Sequence, residues 1–416
     1  MVSINVKKRI PDSLSPEEAW SRMAACERLS EAILPLANAL DHCPAMKIVA
    51  MEDVPSAPRS FMDGFAVRSS DVASVPARLK LSGEIFMGEI PGLYLNSGEA
   101  MFIPTGGFLP EGADAVVMQE DTEQDSKNVT IKRSVAVEEN VQRKGEDFRK
   151  GDLLFDSGHR LRPQDLSALA TFGITEIPVI SKPHLTIIST GNELVPFDRV
   201  AAPGQIRETN ALALASAASK FHFYAESTGI IRDEMDAQKE AMQKALDISE
   251  VLLVSGGSSV GERDYTLEVI RSFPDHQILF HGLAIRPGNP TIFASIGSKW
   301  VFGLPGQPVS SLIVFYQFVL PFLFHLSGTD VNYPEFHERR FQTLSARLAE
   351  NVKPLKTKTD YVRVRLQQTA EGLLAYPVPG KSASLSTLAL AHGYITVPPG
   401  EHVLQKGAEV RIVAFP

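Results

Sequence analysis

VLLVSGGSSVGERDY, residues 251–265, decides how the rest of the chain is read. Val251 to Val254 are four aliphatic residues in a row, the pattern of a short buried strand. Ser255, Gly256, Gly257, Ser258, Ser259 and Gly261 follow, and then Asp264 at an apparent helix start. A strand ending in glycines and hydroxyls before a helix clusters backbone N–H groups beside a positive helix end, which suits an anion. No Gly-Lys-Ser/Thr follows, so this is not a Walker loop. The glycine spacing also differs from the dinucleotide fingerprint. Glycines equally serve a tight turn, and the loop alone leaves both readings open.

Residues 183–330 resolve the choice of fold. LTIIST, HFYAESTGII, EVLLVSGG, ILFHGLAI and KWVFGLPG read as strands. They alternate with helical patterns in NALALASAASKF, EMDAQKEAMQKALD, DYTLEVIRSF and the run from residue 308 to 326. This order predicts a doubly wound α/β sheet with ligands at the carboxyl ends of its strands. Those ends carry Glu193, Asp233, Asp264, Arg286, Asn289 and Ser310. Singly, each acid suits a helix cap or a solvated surface. Together, three carboxylates, an arginine and an anion-type loop are what Mg²⁺-assisted phosphoryl or nucleotidyl chemistry requires.

The flanks read differently. Ser15, Pro16 and two acids start a helix that Pro35 should end or kink, with a short turn over Leu36 to Leu40. Residues 51–146 hold short β-like runs between Gly/Pro turns, a small all-β domain. Residues 147–182 return to strand, helix and strand, so the β domain reads as an insertion into a helical/linker domain of residues 1–50 plus 147–182. Residues 331–416 are again β-like, from EFHERRFQTLSARL to EVRIVAF. In the insertion, Asp63 sits on an otherwise apolar turn and Thr105 lies beside glycines; a Met-Asp-Gly turn is commonly structural. His42, His159, His184 and His281 lack metal-ligand spacing.

A chain of 416 residues exceeds what one core usually supports. The net charge of −8 argues against general nucleic-acid binding, so an anionic ligand must find its positive charge locally. Cys26 and Cys43 alone build neither a disulfide framework nor a zinc site. The N-terminus carries no signal-peptide pattern. The apolar run from Pro308 to Leu326 is interrupted by Gln317, Pro321 and His325, so a buried core helix is expected rather than membrane insertion, and the protein reads as cytoplasmic.

The motifs together resemble one family over nearly the whole chain: the molybdopterin molybdenumtransferases, which include bacterial MoeA and the C-terminal domain of gephyrin. SFMDGFAV, PTGGFLPEGADAVVMQED, GEDFRKGDLLFDSGHRL, FGITEIPV, STGNEL, PGQIRETN, GIIRDE, SGGSSVGERDY, LAIRPGNP and GLPGQPVSS carry the resemblance, in the family's order. It implies an α/β and β multidomain protein: a helical segment, an inserted small β domain, a molybdopterin-binding-like doubly wound α/β domain and a C-terminal β-barrel-like domain. It also implies a homodimer, with the site between the α/β domain of one subunit and the insertion of the other. The implied reaction inserts molybdate into adenylylated molybdopterin with release of AMP and the help of Mg²⁺. By motif position, Asp63, Thr105, Glu193, Asp233, Asp264 and Arg286 match polar site residues, with Glu193, Asp233 and Asp264 as the metal ligands. Ser255 to Gly261, Asn289, Pro290, Pro305, Gly306, Pro308, Ser310 and Arg363 match the ligand-binding loops and oxyanion pocket.

The chain departs from the family at that pocket. The usual Lys-Pro-Gly-Lys-Pro reads Arg-Pro-Gly-Asn-Pro here, and Gly282 stands where some members carry another lysine. Arg286 exchanges a point charge for a planar fork. Asn289 keeps hydrogen-bond donors but no charge, a loss of roughly 1–3 kcal/mol if nothing replaces it. Phe61 replaces a small residue, and Pro-Thr-Gly-Gly-Phe replaces Met-Thr-Gly-Ala-Pro. Two other readings follow: a gephyrin-like scaffold that binds a partner protein or peptide with weak or no catalysis, and a hydrolase of another pyrophosphate-containing nucleotide.

Overall fold

The computed structural model describes residues 13–89, 92, 94–256, 265–370 and 372–416. Of the opening loop, Gly257, Ser258, Ser259, Gly261 and Asp264 lie outside the described residues. Contacts divide the chain into two compact units. One takes the residues up to Ala45, Ser157–Arg162 and Glu176–Pro416; the other takes Met46–Asp156 and Pro163–Thr175.

The first unit opens with a helix, Pro16–Ala24, held by a capping box. The Ser15 hydroxyl accepts from the Glu18 N–H and the Glu18 carboxylate accepts from the Ser15 N–H. The helix stops well before Pro35, contrary to expectation. Residues Glu31–Pro35 instead alternate in exposure and pair antiparallel with Glu176–Ile180, so a period of two overrides a helical reading of the same letters. Leu36–Asn38 does form a short 3-10 turn. The helix Pro163–Thr171 groups with the inserted segment rather than with the N-terminal helix.

The α/β domain runs β1 (Leu185–Thr190), α1 (Asn210–Lys220), β2 (Ala225–Ile231), α2 (Met235–Ile248), β3 (Val251–Ser255), α3 (Thr266–Arg271), β4 (His276–His281), β5 (Ile292–Ile296), β6 (Lys299–Leu304) and α4 (Pro308–Leu326). Its six strands lie in the order β2-β1-β3-β6-β5-β4. The first four are parallel, while β5 is antiparallel to both its neighbours. Leu253 of β3 joins the core under α1 and α4, whereas Leu252 and Val254 face α2 and α3. A strand buried on both faces has no polar alternation, which is why VLLV reads as a continuous apolar run. The sheet is doubly wound.

The helix α4 is long and apolar enough to cross a membrane by length and composition, but it is 89% buried within the molecule. It contains one π turn, Phe315–Val319, directly before Pro321. Proline has no N–H to give the preceding turn, and a wide turn accommodates the break.

The C-terminal strands β7 (Thr343–Leu348), β8 (Thr359–Thr369), β9 (Gly372–Pro377), β10 (Gly393–Val397) and β11 (Glu409–Ala414) close into a barrel, because β8 pairs with both β9 and β10. Val364, Ala375, Ile395 and Ile412 fill it. EFHERR, expected to be β-like, is helical as part of Tyr333–Arg340. Pro334 in its first turn and arginines in its last are helix signals. A two-residue strand from the α/β domain, Ile285–Arg286, pairs in parallel with Thr359–Asp360 at the barrel's edge.

The second unit is built on a six-stranded sheet in the order 115–118, 64–67, 99–103, 77–84, 128–131 and 122–124. Phe65, Val67, Leu79, Val117 and Ile131 form the core on one of its faces.

Candidate active site

The chain leaves β1 for β2, then crosses back to β3 on the other side of β1. In such sheets the crevice for ligands opens at this reversal, beyond the carboxyl ends of β1 and β3. Gly256 follows β3 with φ +108°, and a Cβ there would stand 2.5 Å from the Thr190 carbonyl oxygen. Only glycine allows both the turn and the approach. The Asn210 side-chain amide then joins two loops, donating to Ser255 Oγ at 2.8 Å and to the Gly306 carbonyl at 2.9 Å. Asn210 was present in PGQIRETN but not singled out; its place at the start of a helix facing two strand ends was the available signal. The hydroxyls of Ser189 and Thr190, both buried at the end of β1, have no hydrogen-bond partner among the described residues.

Glu193 and Asp233 lie just past β1 and β2, which are adjacent strands. The Asn192 N–H donates to the Asp233 carboxylate at 3.4 Å, and the Asp233 N–H donates to Asn192 Oδ1 at 3.2 Å. The Glu193 carboxylate folds back over Gly191, where a Cβ would meet it at 2.9 Å. The two acids thus occupy one strand-end cluster. Hard carboxylate oxygens suit Mg²⁺, which takes one or two carboxylates and fills its shell with water and phosphate oxygens. Asp264 lies outside the described residues, and among those described no group of three His, Cys, Asp or Glu side chains converges.

The sequence-selected residues Arg286, Asn289, Pro290, Pro305, Gly306 and Ser310 line a second feature, a cavity of about 350 Å³. Pro308 begins the helix that carries Ser310. Two of these side chains are less free than their types suggest. Arg286 Nε donates to Asp360 Oδ1 at 2.9 Å and Nη2 to Asp360 Oδ2, a bidentate pair. Asn289 Nδ2 donates to the Leu283 carbonyl at 2.5 Å and to Ser13 Oγ at 2.9 Å. Both its amide hydrogens are therefore committed within the chain in this structure, where Asn289 braces its own loop.

Arg363 lines an adjoining cavity of about 510 Å³ whose wall also includes Arg286, Lys353 and Lys381. Its residue is 8% exposed. Nη2 donates to the Gly380 carbonyl at 3.1 Å, while Nε has no partner among the described residues. Burial pushes its pKa down from the usual arginine value, with the Arg286 charge adding to the effect and Asp360 opposing it. Sequence reading missed Asp360, Lys358 and Ser382; an acid and a lysine in KTKTDYVR look like ordinary strand-edge charges until Ile285–Arg286 is seen to pair beside them.

In the second unit Asp63 and Thr105 come together. The Thr105 N–H and hydroxyl both donate to Asp63 Oδ1, at 2.6 and 2.9 Å. These bonds hold the Asp63 pKa below the usual carboxylate value. Neighbouring Phe61 and Met62 are exposed.

Comparison with known proteins covers the chain end to end. Residues 14–173 match the MoeA N-terminal region (domain I and II), 186–325 a probable molybdopterin binding domain, and 345–415 the MoeA C-terminal region (domain IV). A molybdopterin molybdenumtransferase of Staphylococcus epidermidis is 31% identical over 99% of this chain and 97% of its own length. One from Staphylococcus aureus is 30% identical over 98% and 96%. Two solved structures of a molybdopterin biosynthesis MoeA protein from Pyrococcus horikoshii superpose with TM-scores of 0.81 and 0.79, at 32% and 28% identity. They cover 97% of this chain and 99% and 100% of their own. By a match that spans every domain in order, the chain belongs to the molybdopterin molybdenumtransferase family, transferases of molybdenum cofactor biosynthesis.

Proposed function

We propose that the protein inserts molybdate into molybdopterin presented as its adenylylated form, releasing AMP. The observation that carries this reading is the pair of adjoining cavities on Arg286, Ser310 and Arg363, with a buried guanidinium nitrogen that has no acceptor among the described residues. An unpaired buried donor costs about 1–3 kcal/mol, a cost that an oxyanion ligand offsets. A dianion of molybdate's size fits between such donors. The pterin nucleotide would lie across the β1/β3 crevice, beyond the carboxyl ends of these strands.

Glu193 and Asp233, with Asp264, would hold Mg²⁺, which supplies charge neutralisation at the phosphate oxygens as the adenylate is cleaved. The rest is positioning by the chain: Asn210 fixes the strand-end loops, and Arg286 and Arg363 orient the oxyanion. We further propose that the site is completed in a homodimer by Asp63 and Thr105 of a second copy. Mixing Asp63→Ala with Asp264→Ala protein should then restore activity that each lacks alone.

The deciding experiment is single-turnover conversion of adenylylated molybdopterin by the purified protein with Mg²⁺, with and without molybdate. AMP release coupled to formation of active cofactor is the expected result. Tight ligand binding without AMP release would favour a scaffold, a reading to which the commitment of Asn289 and Arg286 to internal bonds lends support. AMP release indifferent to molybdate would favour a nucleotide hydrolase.

A further inference from the structure

The cavity around Arg286 has a wall that the Arg-Pro-Gly-Asn-Pro segment does not contribute. Leu355 and Lys358, from the approach to β8, and Ser382, from the loop after β9, complete it. Lys358 precedes Thr359, whose N–H donates to the Ala284 carbonyl at 2.9 Å, and the next residue is Asp360, the partner of Arg286. The parallel ladder between Ile285–Arg286 and Thr359–Asp360 therefore fixes Lys358 at the rim where the oxyanion segment begins.

The electrostatic state of this wall differs from that of the opposite one. Arg286 spends Nε and Nη2 on a carboxylate, and Asn289 spends both amide hydrogens on Leu283 and Ser13. Among the described residues Lys358 is the one lysine lining the cavity, and it has neither an ion pair nor a hydrogen bond. It is half-buried, and burial lowers its pKa from the usual lysine value. A half-buried ammonium without a counter-ion is disfavoured. A doubly charged tetrahedral anion beside it removes that penalty and gains three rotatable N–H donors. In a chain of net charge −8, such a local cation has no general positive field to substitute for it.

We propose that Lys358 is a further oxyanion-binding cation of this cavity beside Arg286, supplying from the barrel side the charge that residue 289 lacks, with molybdate as the ligand; this rests on the molybdate-using function proposed above. The recognition is a charge-assisted bond from a point charge, backed by Ser310 and Ser382 on the same cavity. Position 289 is then released from ligand binding and free to brace its loop through Leu283.

The test is equilibrium binding of molybdate to the full-length protein, comparing wild type with Lys358→Met and Lys358→Arg, each checked for an unchanged melting temperature. Lys358→Met should weaken molybdate binding about tenfold or more, and Lys358→Arg should recover most of it. In turnover, KM for molybdate should rise in Lys358→Met while kcat at saturating molybdate and affinity for adenylylated molybdopterin hold. Unchanged molybdate affinity in Lys358→Met, or a wild type that binds no molybdate, overturns the proposal. Lys358-dependent binding in a protein that never turns over adenylylated molybdopterin leaves the proposal standing and sinks the assigned reaction instead.

Discussion

Arg286 and Asp360 are partners twice over: their backbones pair in a two-residue parallel ladder, and their side chains close a bidentate ion pair around a carboxylate that is 3% exposed. The arginine side chain is 46% exposed, so one edge of its fork still faces the cavity. Removing the arginine leaves Asp360 buried without its charge partner. Arg286→Met is expected to destabilise the protein by about 2–4 kcal/mol, less than a fully buried pair because one partner is wet. Arg286→Met with Asp360→Leu should recover much of that loss, which chemical denaturation of the two variants checks.

Gly256 is constrained from two sides, by φ +108° and by the Thr190 carbonyl. Gly256→Ala should cost about 2–4 kcal/mol, from backbone strain and overlap together. Ala at the neighbouring Ser255 should cost less, since only the bond from Asn210 is lost. Thermal unfolding of both variants gives the comparison; equal losses would mean the β3 end relaxes freely.

The Thr105 hydroxyl is one of two donors that keep Asp63 ionised. Thr105→Val removes that donor and leaves the backbone one. The Asp63 pKa should rise, and the acid limb of the pH–rate profile should move to higher pH if Asp63 acts as a carboxylate. A profile that stays in place would assign Thr105 to packing.

His337, buried against the helix that carries Tyr316, couples stability to pH. Its Nε2 meets the Tyr316 carbonyl at 2.9 Å, and burial pushes its pKa down to about 4. The unfolded chain takes up this proton near pH 6.5 and the folded protein only near 4. Between those values the unfolded state binds more protons, so stability rises with pH across this window and falls as pH drops from 6.5 to 4. In His337→Gln the slope of stability against pH should flatten there by up to about 1.4 kcal/mol per pH unit.

The sequence marked the central parallel strands because they are mostly apolar runs with a glycine close behind, as VLLVSGG shows; the edge strand Ala225–Ile231, with Glu226, Ser227 and Thr228, is no such run. Strand β5, Ile292–Ile296, was not among the expected strands; its hairpin partner past Gly297-Ser298 was the available cue. The strand Glu31–Pro35 was hidden behind a good helix start, because its pairing partner lies far along the chain, at Glu176–Ile180. The site followed the same rule. Residue types at strand ends were legible; which donors remain available was not, since Asn289 is committed to Leu283 and Ser13 by folding alone.

The π turn in α4 has a bearing on what lengths this helix tolerates. A π turn takes about one residue more than an α turn to come round once, so it absorbs a surplus residue and the side chains beyond it keep their directions relative to those before. Ser310 ahead of the turn lines the cavity, while Phe322 and Phe324 behind it sit in the core. Removing one residue from Phe315–Val319 would make the hydrogen bonding regular and leave these two halves in phase, whereas removing one from the regular turns on either side would rotate them apart by about 100°. The wide turn is thus an allowance for one extra residue, and the alignment of Ser310 with the core below it tolerates a deletion there and nowhere else along the helix.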